Sequence, residues 1–253
     1  MSAVRSSFRL RLFAVALLAP LAAWAQQLTV SAAASLTDAF KEIGAKFEAA
    51  HSGVTLRFNF AASGVLIQQI RQGAPVDVFA SADQETMNRG IEEKLFDAGT
   101  RRDFAANALV LIVPGQGALP IAALADLMKP EVKRIAVGKT ATVPVGRYTK
   151  QALDGAGLWD RLEPKFVQAD SVRQVLDYVA RGEAEAGFVY RTDAAIMRDK
   201  VKVVLTATGH APVTYPVALV SDGRHKAQAQ AFADFLFTPA ASAVFDRYGF
   251  GQP

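Results

Sequence analysis

The chain contains no cysteine. That absence excludes disulfides, thiolate metal sites and cysteine nucleophiles together, and it removes the residue to which a bacterial lipoprotein attaches its lipid. Histidine is scarce as well. His51, His210 and His225 stand far apart in polar or turn-like stretches, none at metal-ligand spacing from another, so neither an imidazole metal centre nor a histidine general base is expected. Repeats of solenoid period, low-complexity linkers and blocks of like charge are all missing. Long apolar runs are limited to Leu12–Ala22, which is too short to span a bilayer comfortably.

That apolar run has a specific context. Arg5, Arg9 and Arg11 precede or open it, and Ala23-Trp24-Ala25 follows with the small-residue spacing of a cleavage site. The pattern predicts a secretory signal peptide over residues 1–25, cleaved near Ala25. With no lipid-bearing cysteine, the mature chain is expected to diffuse freely in the periplasm. The leader also accounts for the basic balance. Of 28 basic residues three leave with it, and 25 remain against 24 acidic ones, about +1. No basic patch for nucleic acid survives, and a nucleic-acid partner is not expected.

What remains is an alternation of strand-like and helix-like segments. Gln27–Ala32 reads as a strand, and Leu36, Phe40, Ile43 and Phe47 then fall on one helical face. Val54, Leu56, Phe58 and Phe60 alternate with polar residues, as in an edge strand buried on one face. Leu66 and Ile70 open a second helix, and Val76–Ala80 is a short buried strand. Further strands are expected at Ala108–Val113, Lys133–Val137, Phe166-Val167, Ala186–Tyr190, Val201–Leu205 and Pro216–Val220, with helices between several of them and two more at the end. Successive strand–helix units predict an α/β chain with mainly parallel sheets. No linker separates two lobes, so the chain is expected to cross between them more than once.

Four strand-to-helix loops carry small or hydroxylated residues: Ala32-Ala33-Ala34-Ser35-Leu36, Ala61-Ala62-Ser63-Gly64-Val65, Val143-Pro144-Val145-Gly146 and Ala169-Asp170-Ser171-Val172. A helix start offers unpaired N–H groups and about half a positive charge. Converging starts therefore make an anion site that needs no Lys or Arg, and small residues let the backbone approach the anion closely. Singly, each loop has a plainer reading. Ser35 with Asp38 fits a capping box, Ser63 and Ser171 fit simple N-caps, and Val145, Val172 and Tyr190 fit ordinary packing.

Taken in order, the segments VSAAASLTDAF from Val30, FAASGVLIQQI from Phe60, GAPVDVFASAD from Gly73, NALVLIVP from Asn107, VPVGRYTKQAL from Val143, GFVYRTDA from Gly187 and RYGF from Arg247 are spread along the mature chain from Val30 to Phe250. In them the chain resembles the molybdate-binding periplasmic proteins of ABC transporters. The resemblance implies a two-lobed type II periplasmic binding protein fold, each lobe a mainly parallel sheet flanked by helices, with the ligand in the interlobe cleft. Residues 26–105 with 218–253 are expected to form one lobe and 106–217 the other.

By the same resemblance, Ser35 and Ser63 would each offer a hydroxyl and a backbone N–H, Val145 and Val172 a backbone N–H, and Tyr190 its phenolic O–H. These five residues would hold molybdate or tungstate through its oxygens, without ligating the metal directly, and no further cofactor is implied. A monomer that delivers its ligand to the membrane subunits of an ABC permease is the expected partnership. Two features depart from the family pattern: Val145 stands where alanine is common, and Arg147 is read as a solvated helix residue.

Other functions compete less well. A periplasmic hydrolase using Ser35 or Ser63 lacks a base. A ferric-ion receptor would need clustered tyrosines, whereas Tyr148, Tyr178, Tyr190, Tyr215 and Tyr248 are scattered along the sequence. A receptor for sulfate or another tetrahedral oxyanion is the nearer alternative.

Overall fold

A computed structural model describes residues 26–117 and 119–253. The expected signal peptide over residues 1–25 lies outside the described residues. Strand β1 (Gln26–Ala33) leads through a tight turn at Ala34–Leu36 into helix α1 (Thr37–Ala50), β2 (Val54–Ala61) leads into α2 (Ser63–Arg71), and β3 (Val78–Ala80) into α3 (Gln84–Glu92) before β4 (Arg102–Asn107). The next stretch holds β5 (Leu109–Pro114), β6 (Ile135–Gly138) with α4 (Pro144–Gly155) and the single turn α5 (Trp159–Leu162), β7 (Phe166–Ala169) with α6 (Val172–Ala180), β8 (Ala186–Tyr190) with α7 (Arg191–Ile196), and β9 (Val201–Thr206). Strand β10 (Val213–Leu219) and helices α8 (Lys226–Phe235) and α9 (Pro239–Tyr248) close the chain. Among the described residues no helix is long and apolar enough to cross a membrane.

The strands form two five-stranded sheets, ordered β2-β1-β3-β10-β4 and β7-β6-β8-β5-β9. Each is flanked by helices, the architecture of a type II periplasmic binding protein. Strand β1 pairs in parallel with β2 and β3, and β6 in parallel with β7 and β8. Each sheet is mainly parallel, with four strands running one way and a single strand reversed: β10 runs antiparallel to β3 and β4, and β5 antiparallel to β8 and β9. The reason is topological. The chain passes from one sheet to the other along β4–β5 and returns along β9–β10, so β5 and β10, the strands that enter a sheet after each crossing, run against the direction of their neighbours. The expected divisions at 105/106 and 217/218 fall inside β4 and β10, the strands that the crossings share.

The first sheet is closed by aromatic packing. Phe40 of α1 meets Phe104 of β4 at 5.7 Å between ring centroids and Phe232 of α8 at 6.0 Å, while Phe47 meets Phe232 edge-on at 5.3 Å. Each buried phenylalanine contributes about 1.5–3 kcal/mol. The cluster thereby ties the C-terminal helices back to the N-terminal lobe. Strand β2 is an edge strand, as its alternating pattern predicts. Two elements had no legible period: in β4 (RDFAAN) only Phe104 and Ala105 are buried, and in α3 (QETMNRGIE) only Thr86, Met87 and Gly90.

Helix α4 starts unusually close to its own strand. A Cβ on Gly146 would lie 2.0 Å from the carbonyl oxygen of Gly138 at the end of β6. Backbone cannot swing aside as a side chain does, so Gly146→Ala must displace the helix start. The expected cost is at the upper end of the ~1–3 kcal/mol typical of overpacking, read as a fall in unfolding free energy by urea denaturation. A wild-type midpoint would show that α4 is free to shift.

Candidate anion-binding site

Five strand ends and the helix starts that follow them face one another across the two sheets. Ser35 lies in the tight turn after β1 and is 3% exposed, and its Oγ is 3.1 Å from Tyr215 Oη on β10. Because this turn runs directly into α1, Ser35 and Asp38 do not form the capping box that their spacing suggests. Thr37 Oγ1 instead donates to Ala34 O at 2.7 Å, and Asp38 faces Arg173. Ser63 is the first residue of α2 and is fully buried, and its Oγ accepts the Ala82 N–H at 3.0 Å rather than capping the helix. Ser171 does cap α6, accepting from Gln174 N at 3.2 Å, and leaves Val172 as the first helical residue.

In α4 the first position is Pro144, which has no N–H. Val145 therefore supplies the first amide of that helix, and no acceptor within a helix can reach its first-turn amides. The same holds for Ser63 in α2 and Val172 in α6. Tyr190 ends β8, is 1% exposed, and its hydroxyl is buried with no hydrogen-bond partner among the described residues. Ser35, Ser63, Val145, Val172 and Tyr190 line one small cavity of about 10 Å³, together with Ala33, Ala34, Ala62, Ala82, Val143 and Pro144. The structure thus brings all five expected residues together, and among the described residues no charged side chain lines the cavity.

The hydroxyls are set up to donate. Ala82 N–H occupies an acceptor position of Ser63 Oγ, which leaves the serine proton to point elsewhere. Asn107 Nδ2 donates to Tyr215 Oη at 3.2 Å while its Oδ1 accepts from Ala108 N. With its own acceptor engaged, the Tyr215 hydroxyl is free to donate to Ser35 Oγ and release the Ser35 proton. Burial pushes the Tyr190 and Tyr215 hydroxyls far above the ordinary tyrosine range, so both stay protonated.

Three of the five tyrosines, scattered in sequence, meet in space. The rings of Tyr148 and Tyr215 flank Tyr190 at 6.4 and 6.0 Å. A ferric site would need phenolates, and burial raises all three of these hydroxyls. The histidines lie outside the cavity. His51 stacks on Phe47 at 4.1 Å, His210 bonds the carbonyls of Ala207 and Ala211, and His225 faces Asp77 at 3.3 Å. The recorded partners of the two serine hydroxyls are a phenol and a backbone amide, neither of them a base.

Arg147 corrects the reading made of it as a solvated helix residue. Its guanidinium is 10% exposed and donates from Nε to Asp83 Oδ2 at 2.8 Å and from Nη2 to Thr86 Oγ1 at 2.8 Å. Asp83 caps α3, more than sixty residues away, so pairing distant in sequence decided the environment and local pattern did not. Ala82, which lines the cavity and orients Ser63, was likewise missed. Its only local signal is one small residue after a strand.

Comparison with known proteins places these features in a family. Residues 28–251 match the model of the bacterial extracellular solute-binding proteins. The chain is 40% identical over 232 residues to the molybdate-binding protein ModA of Escherichia coli, covering 88% of each chain. It is 35% identical over 231 residues to ModA of Haemophilus influenzae, covering 88% of this chain and 89% of that one. Among solved structures it is similar in fold to the periplasmic molybdate-binding protein of Azotobacter vinelandii, with a TM-score of 0.77 at 24% identity over 89% of this chain and 99% of that one.

A buried hydroxyl without a protein partner carries a desolvation cost of about 1–3 kcal/mol. Tyr190→Phe is therefore expected to leave the unfolding free energy of the ligand-free protein unchanged or slightly raised, as measured by chemical denaturation. A loss above about 1 kcal/mol would mean that the hydroxyl holds the fold rather than faces the cavity.

Proposed function

The chain belongs to the bacterial extracellular solute-binding protein family, and on that footing we propose that it captures molybdate, and tungstate beside it, in the periplasm and delivers it to an ABC-type membrane permease. The carrying observation is the convergence of Ser35, Ser63, Val145, Val172 and Tyr190 on one uncharged cavity, in a chain 40% identical to a molybdate-binding protein. In this reading the two serines act from the first sheet and Val145, Val172 and Tyr190 from the second, so a bound dianion bridges the lobes and favours their closed arrangement. In this reading residues 1–25 act as a signal peptide that directs the chain to the periplasm, where it works as a freely diffusing monomer.

The donor pattern favours a fully deprotonated tetrahedral dianion. Molybdate, tungstate and sulfate carry no proton near neutral pH. Hydrogen phosphate carries one and is best held where a strong acceptor takes that proton, and the described residues lining the cavity include no carboxylate. Helix starts and neutral hydroxyls supply the attraction, with no lysine or arginine among the residues lining the cavity.

Two measurements test this reading. In a thermal-shift titration molybdate and tungstate stabilise the mature protein by about 4 kcal/mol at a thousand times the dissociation constant, while phosphate gives no shift and sulfate is ranked by competition. No shift with either metal oxyanion overturns the assignment. Hydrogen bonds to charged groups contribute about 1.5–3 kcal/mol, so Ser63→Ala and Tyr190→Phe each weaken molybdate binding about tenfold or more, as read by calorimetry, and unchanged affinity removes that residue from the site.

A further inference from the structure

Two arginines that do not line the cavity each reach from one lobe to the other beside it. Arg147, two residues after Val145, bonds Asp83, the neighbour of Ala82, and both side chains are nearly buried at 10% and 5% exposure. Arg173, the residue after Val172, donates to Asp38 Oδ2 at 2.8 Å and lies 2.7 Å from the fully buried Asp193 of its own lobe. Between these pairs the backbones of the two lobes touch, with Gly64 N donating to Thr142 O at 2.9 Å. A Cβ on Gly64 would lie 2.6 Å from that oxygen, so this approach tolerates no side chain.

We propose that Arg147–Asp83 and Arg173–Asp38 form a two-point clasp that holds the lobes closed and thereby sets oxyanion affinity without touching the anion, with Gly64 as the contact that permits closure. Both ion pairs span the cleft, so opening the lobes separates Arg147 from Asp83 and Arg173 from Asp38, while Arg173 keeps Asp193 of its own lobe. The clasp therefore acts on the open–closed equilibrium. Apparent affinity scales with the fraction of closed, binding-competent protein, so weakening the clasp raises the dissociation constant of every oxyanion by one factor. Asp83 links the clasp to the site directly: Oδ2 takes Arg147, Oδ1 accepts from Thr86 N and from Ser81 Oγ, and the next amide back orients Ser63. Arg147 and Asp83 are thus positioning residues.

This proposal rests on the oxyanion-receptor reading, and its test separates the two. Calorimetry and stopped-flow dissociation compare the wild type with Arg147→Gln, Asp83→Asn (asparagine keeps the α3 cap) and the double variant. Each single variant is expected to raise the dissociation constants of molybdate and tungstate by one common factor of about 5–150, the range of intersite couplings. The change should appear mainly as faster dissociation, and the double variant should be no weaker than the weaker single one. Gly64→Ala, which obstructs the same closure by bulk alone, gives the same uniform loss and keeps the test valid if a charge variant fails to fold.

Affinities within twofold of wild type, or losses that add in the double variant, overturn the clasp. If the wild type itself takes up neither oxyanion, the receptor reading falls, and the clasp is judged on interlobe distances from spin labels on the two lobes. Arg147→Gln then lowers the closed fraction, and an identical distance distribution overturns the clasp.

Discussion

The amides of a helix's first turn find no acceptor within the helix, and this protein gathers three such starts and one tight turn around a single cavity. The sequences at those starts serve that constraint. Pro144 removes one amide so that Val145 leads its helix, Ser171 caps α6 so that Val172 comes first, and Ala33, Ala34, Ala62 and Ala82 keep the walls thin. In the proposed site, attraction for an anion comes from backbone dipoles and hydroxyl protons, and the nearby Arg147 and Arg173 pair with Asp83 and Asp38 across the cleft.

The sheets supply the convergence. Helices follow the carboxyl ends of parallel strands in both lobes, and the crossings along β4–β5 and β9–β10 turn those ends toward each other. Asn107, at the end of β4, bonds Tyr215 of β10 and Thr192 of α7 at 3.2 and 2.9 Å. It therefore joins the crossing region to Ser35 on one side and to the neighbourhood of Tyr190 on the other. A movement of the lobes at this point is felt by hydroxyls of both, which is the mechanical requirement for a receptor that closes on its ligand.

Much of this was legible in the sequence because the informative signals are local. Ala186–Tyr190 reads as a strand and is one to the residue. Phe40, Ile43 and Phe47 fall on one helical face and are buried. The five proposed site residues stand at strand-to-helix junctions, a pattern of a few residues, and family resemblance supplied the roles expected of them. What escaped reading is non-local or weakly apolar. Strand β4 is poor in large apolar residues, α3 buries one polar and two small or flexible side chains, and Arg147 finds Asp83 across the cleft. Tyr215 and Tyr190, distant in the chain, meet only because β10 returns to the first sheet beside β4. Spacing along a sequence cannot show such meetings.

A crystal structure of the mature protein grown with molybdate, with anomalous scattering used to locate the molybdenum, tests the central claim most directly. The account predicts one molybdenum site in the cavity, with its oxygens about 2.6–3.2 Å from the hydroxyls of Ser35, Ser63 and Tyr190 and from the amides of Ser35, Ser63, Val145 and Val172, and with Arg147 and Arg173 still paired across the cleft. Molybdenum held by either arginine, or bound outside that cavity, would contradict it.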